Sequence, residues 1–406
     1  MISDFDIYRK LTNSAFRAFW NEYLLKVNCY RRRSVPLSKP NAWFSIMAFG
    51  PEHGMKHRLW AIRWAVATLC NCVYLAIVPR AKASGAISLI SNVTHLKYLG
   101  TGRQVFRVGL HNFRFLQYPH ILSVLTLREQ CGVAWRALGS LRQFLVSCRD
   151  ECDKRGIDFK IFRRLCNIGY LRFADYTLQY MALKKLGRVE VAVANQFEVN
   201  ASFLSTYRDI GLEFSLVGYQ HGLFELPPEP HQYSPLHFDE YHLLFRESEP
   251  WFVKKLLSNP DCVIKYRKYT SHINWHILDR QSFDKVIAFA GQDSTPYDLK
   301  IIDTVLSYAE NRNALLLIYL HHNYRDFPLQ HRIESRNLKI FLRERHENID
   351  LLITRYSTLA MDYRIGLGIN VLFVPGSDSV CIFENDTVPV CRDLRQFQTA
   401  LTKFLD

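Results

Sequence analysis

Short apolar runs alternate with amphipathic helical stretches, which predicts an α/β chain built on parallel sheets with a helix-rich N-terminal part. Residues 285–291 (KVIAFAG), 314–320 (ALLLIYL), 350–354 (DLLIT) and 370–374 (NVLFV) read as strands. The second is apolar at every position, as a strand covered on both faces requires. Between the first two, Leu299, Ile302, Val305, Leu306 and Ala309 recur at helical spacing. The same alternation stands upstream, with a strand at 189–194 (VEVAVA), a helix at 200–210 and a strand at 213–219 (EFSLVGY). Pro227, Pro228, Pro230 and Pro235 then break the chain.

A chain of 406 residues is long enough for two cores. The pattern places an N-terminal α/β domain at 1–241, a connecting region at 242–282 and a C-terminal domain at 283–406. Ahead of 189 the sequence is helix-rich, with 86–93 (AISLISNV) as its first strand. A hydrophobic content of 48% with 22% charged residues excludes the disordered class.

Charge is unevenly placed. Residues 1–283 carry 38 basic and 22 acidic side chains, whereas 284–406 carry 14 and 16. Between Glu52 and Glu129 there is no carboxylate, while ten Lys and Arg occur. Such a field attracts phosphates of lipid headgroups, a lipid-linked substrate or nucleic acid. No helix-turn-helix, RRM, KH or zinc-finger signature accompanies it, which argues against nucleic acid.

Ten cysteines without compact spacing or a CxxC pair read as buried thiols of a reducing compartment. The first twenty residues include Asp4, Asp6, Arg9, Lys10 and Arg17, not the apolar core of a secretory signal. The uncharged run 64–79 is shorter than the ~20 residues of a bilayer span and holds Asn71 at its middle. It reads as a core or interfacial helix.

Three loops of the C-terminal domain follow predicted strands, where an α/β sheet collects its ligands. Gln292, Asp293 and Ser294 stand in a small polar loop that opens a helix, suited to an anion and equally to N-capping. His321 and His322 close the apolar strand and suit a phosphate, or a metal if carboxylates converge on them. Arg355, Ser357 and Thr358 lie between a strand and a helix start, with hydroxyls and a cation for a phosphate. Ser357 is also a sound N-cap. In the N-terminal domain, Glu198 and His221 follow strands and suit deprotonation of an acceptor hydroxyl. Glu198 serves equally as a helix-start partner of the dipole.

VGYQHG (217–222), IYLHHN (318–323) and DLLITRYSTLAMDYRIGLGINVLFVP (350–375) resemble bacterial glycosyltransferases of the GT-B architecture. The closer likeness is to the clan of capsule-polysaccharide synthesis proteins, sialyltransferases, Kdo transferases and CDP-glycerol polymerising enzymes. The resemblance implies two Rossmann-like domains facing across a cleft. It also implies a CMP- or CDP-linked donor whose phosphate meets His322 and Ser357 with Thr358. The clan's His-Pro motif is His322-Asn323 here, and no clean copy of its acidic base motif occurs, leaving Glu198 first and His221 second as candidate bases.

The reaction implied by the resemblance is inverting, metal-independent transfer of a sugar, best matched by a CMP-activated sialic acid or Kdo, to a surface polysaccharide or lipid-linked glycan. No cofactor beyond the nucleotide-sugar co-substrate is expected. The basic half would dock on an anionic membrane, placing the protein in the cytoplasm, peripheral on the inner face of the cytoplasmic membrane. A CDP-polyol phosphotransferase and a non-catalytic binding protein of polysaccharide assembly are the alternatives.

Overall fold

The computed structural model describes residues 4–32, 73–75, 77–78, 80–83, 85–91, 96, 99, 102–109, 117–166, 168–194, 199–220, 225–226, 235–244, 257–268, 273–280, 283–291, 296–320, 335–342, 344–355, 357, 359–375, 380–381 and 389–405. Within them the chain forms two parallel sheets. The first takes β1 (Ala86–Ile90), β2 (Gln104–Arg107), β3 (Glu190–Ala194), β4 (Ser215–Tyr219), β6 (Glu240–Leu243) and β7 (Val263–Tyr266), in the order β2-β1-β3-β4-β6-β7. Strand β5 (Glu225–Leu226) stands outside it. β6 ends and β7 lies wholly within the stretch 242–282 read as a connection, so that stretch completes the first sheet. The cause is plain in β7, whose VIKY is mostly exposed and offers no apolar run to detect.

One face of this sheet is buried under helices α1 (Asp4–Arg32), α2 (Leu127–Lys154), α3 (Phe159–Leu165), α4 (Tyr170–Leu186) and α5 (Val199–Asp209). Phe19 of α1 sits at the centre of that layer, with ring centroids 5.3 Å from Phe203 and 6.2 Å from both Phe144 and Tyr176. Helix α2 starts at a capping box, in which the Thr126 hydroxyl accepts from Glu129 N–H and the Glu129 carboxylate accepts from Thr126 N–H. Cys148 and Cys152 lie on α2, are fully buried and have their thiol pKa values raised by burial. They are inert core residues.

The second sheet contains β9 (Lys285–Ala290), β10 (Ala314–Tyr319), β11 (Leu338–Phe341), β13 (Leu351–Thr354) and β14 (Asn370–Phe373), ordered β11-β10-β9-β13-β14. Helices α6 (Pro296–Asn311) and α8 (Leu394–Leu405) cover one face. The other packs on a short helix, α7 (Leu359–Met361), that widens into a π-helical turn over Asp362–Gly366. Two small pairings lie beside the sheets: β8 (Trp275–His276) runs parallel to β12 (Arg345–His346), and β5 runs antiparallel to β15 (Val380–Cys381). The second of these joins the segment after β4 to the segment after β14. Most of the uncharged run 64–79 falls outside the described residues. Among those described, no helix is long and apolar enough to cross a membrane.

Candidate functional site

The order of the second sheet fixes where a ligand can enter. The chain begins in the middle at β9, builds β10 and β11 to one side, then crosses to build β13 and β14 on the other. The strand order therefore reverses between β9 and β13, and at such a switch point open α/β sheets bind ligands in a crevice outside the carboxyl edge. Register aligns that edge in one row: Phe341, Tyr319, Ala290, Thr354 and Phe373 are successive partners across the five strands. The three loops singled out in the sequence leave from adjacent strands of this row.

Side chains tie this switch point together. The Thr354 hydroxyl donates to Ala290 C=O at 2.9 Å and accepts from Ser357 N–H at 3.1 Å, so one buried atom ties both strand exits together. Ser357 Oγ in turn accepts from Leu359 N–H at 3.3 Å, and Ser357 C=O accepts from Ala360 N–H at 3.0 Å. This is the N-cap geometry, and it fixes the hydroxyl at the entrance to α7.

Arg355 is buried beside it. Its Nε and Nη2 donate to Pro375 C=O at 3.3 and 3.1 Å, and Nη1 lies 3.7 Å from Asp298 Oδ2 in the first turn of α6. The guanidinium also stands 5.3 Å over the Tyr297 ring. These contacts tie the exits of β13 and β14 to the start of α6. Gln292, Asp293, Ser294, His321, His322, Thr358, Glu198 and His221 lie outside the described residues.

One cation at this edge escapes a reading of the sequence. Arg345 Nη2 donates to Leu320 C=O at 3.4 Å, at the exit of β10, and Nη1 donates to Glu344 C=O at 2.7 Å. Its guanidinium lies 4.8 Å over the Tyr319 ring. Burial lowers its pKa from the usual arginine value, and no carboxylate pairs with it among the described residues. The rings beneath are tied together: Tyr363 O–H donates to His346 C=O at 2.7 Å with Tyr319 Oη 3.1 Å away, while His346 N–H donates to Tyr319 Oη at 3.2 Å. Burial raises both phenol pKa values and lowers that of the His346 imidazole. Nothing in RERHENID distinguishes Arg345 from a solvated arginine, because its setting is made by a fold contact between β12 and β10.

The carboxyl edge of the first sheet carries a second polar group. Tyr219, last in β4, stacks on His242 with centroids 4.4 Å apart, and Arg267 stands 5.2 Å over its ring. Glu240 accepts from His242 at 2.5 Å and from Lys265 at 2.6 Å. Gln220, which follows Tyr219, is buried and uses its side-chain carbonyl to accept from Leu244 N–H at 2.8 Å.

No family model and no curated protein sequence matches the chain. Among solved structures it is similar to MurG of Acinetobacter baumannii (11% identity, 80% of this chain and 91% of the other, TM-score 0.38). It is also similar to the UDP-forming α,α-trehalose-phosphate synthase of Burkholderia vietnamiensis (9% identity, 57% and 70%, TM-score 0.36). A third is the spinosyn rhamnosyltransferase SpnG complexed with thymidine diphosphate (10% identity, 80% and 92%, TM-score 0.35). At these TM-scores the overlaps decide nothing about this chain; its own strand order and side chains do.

Proposed function

We propose that the protein is a nucleotide-sugar-dependent glycosyltransferase whose donor phosphate sits in the β9/β13 crevice. The observation that carries this is the Thr354 link, which holds a capped Ser357 at the switch point of a parallel sheet, the position where α/β folds bind phosphorylated ligands. Ser357 and Thr358 with His322 contact the donor phosphate, and the loop Gln292 to Ser294, which leads into α6, frames it with His321. Arg355 holds the loop through Pro375 and Asp298, and Arg345 supplies a cation to the nucleotide.

The reaction is inverting. An acceptor oxygen bonds to the anomeric carbon as the bond from that carbon to the phosphate oxygen breaks, and the acceptor proton passes to Glu198 or His221. The departing nucleotide takes the electron pair, and the hydroxyls and imidazole stabilise its charge. The donor is a CMP-activated acidic sugar of the sialic acid or Kdo type, and the acceptor is a surface polysaccharide or lipid-linked glycan.

Transfer from CMP-sialic acid and CMP-Kdo to a lipid-linked glycan, followed by product mass, tests this. Ser357→Ala and His322→Ala are expected to remove transfer and keep the fold. Full activity in either variant takes that residue out of the donor site, and polyol-phosphate transfer from CDP-glycerol in a parallel assay, with no transfer from either CMP-sugar, contradicts the proposed chemistry.

A further inference from the structure

Helix α2 is amphipathic twice over. Its inner face, with Val133, Ala137 and Phe144, is buried in the helical layer against α1 and α4. At about 100° per residue, the opposite face brings Arg128, Trp135, Leu138, Arg142, Val146 and Arg149 into one stripe. Trp135 is 75% exposed, Leu138 45% and Val146 49%, and the three arginines are exposed too. Leu141 and Leu145 complete a shallow groove of about 440 Å³ at its C-terminal half. Between Arg128 and Arg149 the helix has one carboxylate, Glu129, which lies off the stripe and is held by Lys185 at 2.6 Å. Asp150, Glu151 and Asp153 follow in the last five residues of the helix, beyond the stretch from Arg128 to Arg149, and of these Asp153 ends the stripe. The inner face already supplies the core, and a run of exposed Trp, Leu and Val among arginines marks an interaction surface.

We propose that this face of α2 lies flat in the headgroup region of an anionic membrane, with Trp135, Leu138 and Val146 entering the acyl boundary and Arg128, Arg142 and Arg149 meeting lipid phosphates. The stripe runs for about 30 Å along the helix, long enough for in-plane binding without a span. Trp suits the interfacial zone, and arginine can lay its stem on apolar surface while its head meets phosphate. A soluble polyanion would engage the guanidinium groups but leave Trp135 and Leu138 in water. A second copy of the same face would set like charges against each other. The proposal does not rest on the transferase function.

Cosedimentation of the full-length protein with vesicles of equimolar phosphatidylcholine and phosphatidylglycerol tests it, with pure phosphatidylcholine as the comparison. Binding to the anionic vesicles alone is expected, weakening as salt rises. R142E/R149E is expected to lower the partition coefficient roughly twentyfold or more, since each basic residue at the surface contributes about a fivefold factor. Trp135→Ser with Leu138→Ser is expected to lower it by a further, salt-insensitive factor. All four positions are exposed, and Arg149 gives up only its place 5.3 Å over the Phe159 ring, so thermal melting of both variants should stay close to the parent's. Unchanged vesicle binding in both variants overturns the proposal. So does binding of a polyanion such as heparin without vesicle binding, or a dimer in sedimentation that the Trp135 and Leu138 substitutions dissolve.

Discussion

Thr354 and Ser357 do two things at once, and the two can be separated. Replacing Thr354 by Val keeps the shape but leaves Ser357 N–H and Ala290 C=O without their shared partner in a buried place. The cost expected is about 1–3 kcal/mol, read as a lowered denaturation midpoint, together with weaker donor binding as the crevice loosens. Ser357→Ala removes only a cap, at about 1 kcal/mol, so a loss of transfer larger than that stability change reports a donor contact.

Arg345 behaves oppositely. It is partly desolvated and, among the described residues, meets carbonyls and a ring, so Arg345→Met should leave the unliganded protein as stable or more so while weakening nucleotide binding by roughly tenfold to a hundredfold. Equal affinity in this variant removes Arg345 from the site. Ser357 is legible in the sequence because a hydroxyl between a strand and a helix start is a local pattern. Arg345 is not, because its role depends on which strands lie side by side.

At the level of elements, the strands found from sequence are those buried on both faces. β9, β10 and β13 are continuous apolar runs because helices or turns cover each side. β7 and the half-buried β11 carry no such run, and α4 is buried nearly all round, which erases the helical period. The helix that the sequence opens after Thr358, over about 359–365, widens instead to a π turn over Asp362–Gly366, which aims Tyr363 at the His346 carbonyl.

Two substitutions probe elements directly. Gly218 in β4 has no room for a methyl group, since an added Cβ would come within 2.2 Å of the Tyr241 ring and 2.8 Å of Phe238. Gly218→Ala is expected to destabilise on the order of 3 kcal/mol in denaturant unfolding, and a change within 0.5 kcal/mol, the scatter of about that size typical of neutral substitutions, contradicts this packing. At the start of α2, hydrogen bonds from Lys185 and Thr126 N–H lower the Glu129 carboxyl pKa to about 2. The folded value is below the unfolded one of about 4.3, so this contribution is complete above that pH and is lost as pH falls toward 2. Thr126→Ala should cost about 1 kcal/mol at neutral pH.

For the molecule as a whole, acidification acts through the half-buried His242 and the buried His346 before it reaches the carboxylates. Burial lowers the pKa of both His242 and His346, so the unfolded chain, with histidines near about 6.5, binds more protons as pH drops. Stability is therefore expected to hold above about pH 6.5 and to decline below it, and a flat unfolding midpoint between about pH 7.5 and about 5.5 would contradict this. Charge also divides the molecule. Its excess of Lys and Arg falls in residues 1–283, while 284–406, which hold the second sheet, are close to neutral.

Thermal melting with CMP, CDP, UDP, GDP and ADP in turn, on the parent and on Arg345→Met, is the most direct test of a nucleotide site at the second sheet's carboxyl edge. At about a hundred times its dissociation constant, a bound nucleotide adds ~2.7 kcal/mol of stability. The account predicts a rise in melting temperature with CMP that shrinks in Arg345→Met. A rise with UDP or GDP alone would keep the crevice and refute the CMP donor, and no rise with any nucleotide would contradict the site itself.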